Sequence, residues 1–122
     1  MKENKSKIGF SFAWQGLRQV ICEEKNLQIH LITAFFVVLM SIYFRLNLIE
    51  WAIIILVICF VIVAEIVNSI FERLIDYFKP GIHPKAKQIK DMAASVVLVT
   101  VIFACIIGCI IFLPKLLIYI NE

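Results

Sequence analysis

The sequence predicts an all-α integral membrane protein: three transmembrane helices preceded by an N-terminal amphipathic surface helix, with the N-terminus in the cytoplasm. Hydrophobic residues make up 62% of the 122-residue chain, against about 45–50% in soluble domains. The excess is gathered into long apolar runs rather than spread along the chain. The basic residues, in turn, are concentrated, ten of twelve, in two of the four regions that flank those runs. A chain of this length holds one domain, residues 1–122.

The surface helix is expected over about residues 7–25. In GFSFAWQGLRQVICEEKN the apolar residues Phe10, Ala13, Trp14, Leu17, Val20 and Ile21 recur at helical spacing, as in a helix lying on a membrane leaflet. Gly16 interrupts it at about 1 kcal/mol relative to alanine. It serves either the close approach of a helix or ligand, or nothing beyond a tolerated surface position. The first apolar run begins only near Ile29, after a charged segment that contains a tryptophan, and no small-residue cleavage pattern follows. It therefore reads as a retained span rather than a secretory leader.

Three spans follow, at about residues 29–46, 48–70 and 92–113. The first is short, and Arg45 snorkels outward at its end. The second contains WAIIILVICFVIVA, and the third is closed by Pro114, with the apolar tail LLIYI beyond it. Between the last two spans, YFKPGIHPKAKQIKD carries two prolines and a glycine and so turns, and a helix restarts after Pro84.

Orientation comes from the cations. Lys2, Lys5, Lys7, Arg18 and Lys25 precede the first span, and Arg73, Lys79, Lys85, Lys87 and Lys90 lie between the second and third. Only Arg45 and Lys115 flank the opposite ends. Ten against two places the N-terminus and the long loop in the cytoplasm.

The most informative stretch is residues 64–76, AEIVNSIFERLID, where the second span leaves the membrane. At about 100° per residue, with Glu65 at zero, Asn68 falls near about −60°, Ser69 near about +40°, Glu72 near about −20° and Asp76 near about +20°. All five polar groups share one face. As polar glue between helices, Asp76 is easily explained, but Glu65 is surrounded by Val61, Ile62, Val63, Ala64, Ile66 and Val67. A charged acid at the centre of a transmembrane helix costs about 2.5–3.5 kcal/mol on insertion scales, and less near an interface. Aligned carboxylates persist when a cation sits against them. Mg²⁺ is the natural choice, because it needs one or two carboxylates plus phosphate oxygens.

Lys90 and Asp91 stand where the third span enters the membrane. Taken alone they are an ordinary positive flank with an aspartate near a helix start. Beside the stripe they complete a set suited to phosphoryl transfer: a metal bridging phosphates, a base for the incoming hydroxyl and a lysine balancing charge. Glu24 and Asn26 could reach a site at the same membrane depth, whereas a solvated helix end explains Glu23.

Other groups carry less. Cys22, Cys59, Cys105 and Cys109 read as small apolar packing residues; the last two are four apart on a helix, but no histidine completes a metal spacing. His30 and His83 likewise lack a partner at ligand spacing. Four scattered glycines build no phosphate-cradling loop, and no basic, aromatic-interleaved groove for nucleic acid is present.

Together, residues 13–18 (AWQGLR), 24–30 (EKNLQIH), 65–76 (EIVNSIFERLID) and 83–94 (HPKAKQIKDMAA) resemble the small bacterial lipid kinases, prokaryotic diacylglycerol kinase and its undecaprenol kinase branch. The likeness spans nearly the whole chain except its tail. It implies a homotrimer of three-span protomers in the bacterial plasma membrane, with composite sites at the cytoplasmic surface that pass the γ-phosphoryl group of ATP to a lipid alcohol. It also implies that Glu72 is the catalytic base and a metal-contacting carboxylate, and that Glu24 is the second metal-contacting glutamate. Glu65, Asn68, Asp76, Lys90 and Asp91 then surround the nucleotide and the transferring phosphate, with Ser69 and Asn26 in support. Ala13 and Gly16 match the small positions where the surface helix meets the site, Gly16 beside the nucleotide.

The sequence departs from the family pattern at Phe71 and Arg73, where smaller side chains are usual, and at residues 93–95, AAS where the undecaprenol branch usually has AAG. EKNLQIH and HPKAK favour undecaprenol over diacylglycerol as substrate. Two other classes compete. A proton-coupled transporter needs its carboxylates near the midplane, and a scaffolding protein leaves the aligned Glu65, Asn68 and Glu72 unexplained.

Overall fold

A computed structural model describes residues 5–81 and 83–122, with side chains from residue 9 onward. Lys2, counted above among the cytoplasmic cations, lies outside the described residues. The fold is all-helical: α1 (Lys5–Glu23), α2 (Lys25–Tyr43), α3 (Leu48–Phe78) and α4 (Pro84–Asn121). Of these, α2, α3 and α4 are long and apolar enough to cross a membrane. At 1.5 Å per residue the 31 residues of α3 reach about 46 Å, well beyond the roughly 30 Å hydrocarbon core.

A single extended residue, Glu24, separates α1 from α2 (φ −100°, ψ 109°). The elbow is held by Gln28, whose Nε2 donates to the carbonyls of Ile21 (2.9 Å) and Cys22 (3.1 Å), groups that the end of α1 leaves unpaired. Leu27, fully buried, sits beside it.

At the other end of α2 the chain stops in a Schellman-type cap. The Arg45 amide donates to the Ile42 carbonyl and the Leu46 amide to that of Ser41, both at 3.2 Å. Arg45 takes the left-handed conformation (φ 54°) that such a cap requires and that glycine usually fills. Leu46, turned inward by the cap, joins Ile54 and Ile111 in the buried cluster, with Val37, Trp51, Ile58, Ile107 and Phe112 packed around it.

α3 begins in a capping box. Asn47 Oδ1 accepts from the Glu50 amide (2.9 Å), and Glu50 Oε1 accepts from the Asn47 amide (3.0 Å). Asn47→Ala is expected to lower stability by about 1 kcal/mol, readable as a lower thermal midpoint in detergent. The start of α4 is also capped, His83 Nδ1 accepting from the Lys85 amide (3.2 Å) with Pro84 in the first turn. His83 thus has a structural duty.

α3 and α4 pair antiparallel and form the most extensive contact in the molecule. Ion pairs clamp both ends: Glu50–Lys115 at 3.1 Å, and Asp76–Lys90 at the other. α3 and α4 outrun the expected spans, whereas α2 begins before residue 29 and stops at Tyr43, short of 46; Pro114 does not end the last span but lies inside α4. Proline removes one backbone hydrogen bond. The turns beyond it are held by the Lys115–Glu50 pair and by Tyr119, whose ring stacks edge-on against Tyr43 and Phe44.

Most large apolar side chains point outward. Phe35, Phe36, Phe60 and Phe103 are each about three-fifths exposed, as expected of surfaces facing lipid or other helices rather than water.

Candidate functional site

Three of the four buried polar side chains among the described residues lie on the polar stripe of α3. Relative exposure is 2% for Glu65, 5% for Asn68 and 3% for Ser69, while Glu72 is half-buried and Asp76 exposed. Counting 1.5 Å per residue from Leu48, Glu65 lies about 26 Å and Glu72 about 36 Å along the helix. The stripe therefore straddles one end of a hydrocarbon-length segment, not its middle.

Asn68 organises it. Its Nδ2 donates to Glu72 Oε1 at 3.0 Å, the i, i+4 geometry of a helix face. Its Oδ1 is buried with no hydrogen-bond partner, a deficit of about 1–3 kcal/mol for a buried acceptor. Asn68 lines a cavity of about 230 Å³ together with Glu65 and Glu72 from α3, Asn26 and His30 from α2 and Ala94 from α4.

The residues lining the cavity carry hard oxygen donors, the carboxylates of Glu72 and Glu65. Among the described residues no three His, Cys, Asp or Glu side chains form a ready-made metal cage. Mg²⁺ needs none, since it retains waters and takes one or two carboxylates plus phosphate oxygens. The donor set fits that ion.

The other expected site residues fall into three neighbouring groups. Ala13 and Gly16 line a cleft of about 340 Å³ between α1 and α3, together with Gln19, Ser69 and Arg73. A side chain at Gly16 would meet nothing within 4 Å, so the cleft is open there. Glu24 is not in the cavity but is bonded to Arg73 at 2.7 Å. Asp76 and Lys90 pair with each other across α3 and α4. Asp91 pairs with Lys87 along α4 at 2.7 Å, both largely exposed, and among the described residues no hydrogen bond or ion pair joins it to the stripe.

Two residues gain weight from the structure. His30, set aside for want of a metal-spaced partner, is one turn from Asn26 on α2. It lines both the polar cavity and an apolar groove of about 410 Å³ between α2, α3 and α4. The available signal was its i, i+4 relation to Asn26 rather than any ligand spacing. Arg73 stood out only as a departure from a family pattern, and it bridges two helices.

Comparison with known proteins bears on what such a site does. The model of one family, described as prokaryotic diacylglycerol kinase, matches residues 11–112. The chain is 38% identical over 107 residues to the undecaprenol kinase of Bacillus subtilis, covering 88% of this chain and 87% of that protein. It is 34% identical over 98 residues to a diacylglycerol kinase of Helicobacter pylori (80% and 71%). A diacylglycerol kinase of Synechocystis sp. is 32% identical over 111 residues (90% and 63%).

Proposed function

The chain belongs to the prokaryotic diacylglycerol kinase family, and on that premise we propose that it phosphorylates undecaprenol at the cytoplasmic face of a bacterial plasma membrane. It is a membrane-embedded, ATP-dependent lipid kinase. The observation that carries the site assignment is the buried Asn68 in the cavity wall, with its Nδ2 on Glu72 and its Oδ1 without a partner.

In this reading the lipid hydroxyl enters the cavity beside Glu72, whose carboxylate accepts its proton as the oxygen attacks the γ-phosphorus, and the bond from that phosphorus to the β,γ-bridging oxygen breaks to release ADP. Asn68 holds that carboxylate in place through its Nδ2 donor. Lys90, drawn from Asp76, balances charge on the phosphates, and the cleft beside Ala13 and Gly16 takes the nucleotide. Glu72 and Glu24 would hold Mg²⁺, which when bound supplies neutralisation of the phosphate oxygens. Glu65, Asn26, Ser69, Asp76 and Asp91 supply the surrounding polar shell.

The choice of undecaprenol rests on EKNLQIH and HPKAK and on the likeness to the Bacillus enzyme; diacylglycerol is the alternative. The N-terminal cytoplasmic orientation follows from the cation distribution. α1, with Phe10, Phe12 and Trp14 all more than half exposed, is suited to lie on the leaflet as an amphipathic anchor. A homotrimer would cover part of the outward apolar surface.

Purified protein in micelles, given Mg²⁺ and γ-labelled ATP with each lipid separately, is expected to label undecaprenol preferentially. Preference for diacylglycerol would retain the mechanism and overturn the substrate. Labelling of neither lipid by folded protein would remove the proposed reaction.

A further inference from the structure

Arg73 follows Glu72 directly and reaches back to the elbow between α1 and α2. Its Nε and Nη2 both donate to Glu24 Oε1, at 3.0 and 2.7 Å, and Nη2 also lies 3.0 Å from Glu23 Oε1. One guanidinium thus answers two adjacent carboxylates, the nearer of them 49 residues away in sequence. Among the described residues the Glu24 side chain has no partner besides Arg73: it occupies the N-cap of α2 but makes no side-chain capping bond. Its side chain is 22% exposed, against 53% for Glu23, so Glu24 is the partner less able to rely on water.

Glu24 is also the carboxylate that the proposed function gives to the metal, and the inference rests on that reading. A guanidinium and a divalent cation cannot both draw fully on one carboxylate. The fork occupies Oε1, and its fixed positive charge repels a dication at the same group. We propose that Arg73 is a built-in counter-ion for Glu24 that the divalent cation displaces on binding. In the metal-free state Arg73 keeps two neighbouring carboxylates from facing each other unpaired. In the loaded state the metal replaces it on Glu24, and the guanidinium is retained on Glu23. Arg73 is therefore a positioning residue that sets the metal concentration at which the site fills.

The direction of the effect separates this role from a simple brace. If Arg73 only braced Glu24 for the metal, its removal would weaken metal binding. As a competing counter-ion, its removal tightens binding. The pair is partly exposed, so the gain is modest, roughly threefold to tenfold in the dissociation constant.

The test is a Mn²⁺ titration of the full chain in micelles, without nucleotide, read by electron paramagnetic resonance. Wild type is compared with Arg73→Gln, Arg73→Lys and Glu24→Gln. Arg73→Gln is expected to bind Mn²⁺ more tightly by that factor, with Arg73→Lys between it and wild type, because a lysine keeps the charge but not the fork. Thermal midpoints give a second readout. Arg73→Gln is expected to lower the metal-free midpoint and to gain more from saturating Mn²⁺ than wild type does. A brace would instead lower both midpoints alike.

Unchanged or weaker Mn²⁺ binding by Arg73→Gln, with Glu24→Gln defective, would overturn the counter-ion while leaving Glu24 as a ligand. Should Glu24→Gln bind Mn²⁺ as wild type does, the ligand assignment beneath the inference fails, and the inference with it. Lipid phosphorylation by wild-type protein reports separately on the kinase reading.

Discussion

Glu72→Gln is expected to reduce lipid phosphorylation by at least about 10³-fold while the protein remains folded. A positioned general base contributes about 10²–10⁴-fold on its own, and the same substitution removes a charged oxygen from the proposed metal set. The fold should be nearly indifferent, because a glutamine oxygen still accepts the hydrogen bond that Asn68 Nδ2 makes to Glu72 Oε1. Glu72 is only half-buried, so loss of its charge requires no repacking. Turnover by single-cycle phosphorylation, with helicity and thermal midpoint measured alongside, checks both halves. Glu65→Gln is the companion variant, since Glu65 shares the cavity and is far more buried. An active Glu72→Gln enzyme with an inactive Glu65→Gln enzyme would move the base to Glu65.

The second large effect is expected at Asn68. Asn68→Leu removes the donor that holds Glu72 and, with it, a buried oxygen that has no partner. Loss of one preorganised hydrogen-bonding group at a reacting centre costs about 10²–10³-fold in rate, and about 10²-fold is expected here. Stability should move the other way or not at all, since a buried acceptor without a partner is replaced by an apolar group of similar size. That opposition is the diagnostic. A residue that merely glued helices together would lose stability when replaced and would affect rate only through unfolding. Asn68→Asp keeps an oxygen but sets a third carboxylate beside Glu65 and Glu72, and it should lower both rate and stability. An Asn68→Leu enzyme that is stable and fully active would remove Asn68 from the site.

These two predictions rest on different kinds of information. That residues 64–76 form one polar face of a helix was legible in the sequence, because helical periodicity is local and Glu65, Asn68, Ser69, Glu72 and Asp76 lie within a few turns. The division of that face was not. Glu65, Asn68 and Ser69 are buried while Asp76 is exposed, and this depends on α2 and α4 covering one end of the stripe only. Lys90 and Asp91 are adjacent in sequence and were read together. In the fold Lys90 turns to Asp76, whereas Asp91 turns to Lys87, since neighbours on a helix point about 100° apart.

By itself the sequence determined the helical class, the three apolar helices, the turn through Pro80 and Gly81, and the helix restart at Pro84. Each depends on composition or on residues a few positions apart. Tertiary structure alone decided what happens at the ends and between elements. Pro114 lies inside α4 because Lys115 and Tyr119 find partners across the hairpin at Glu50, Tyr43 and Phe44. His30 borders the polar cavity because α2 leans on α3, and Arg73 meets Glu24 because the elbow folds back against the same helix. Contacts of this kind depend on where distant segments arrive in space, which no local pattern encodes.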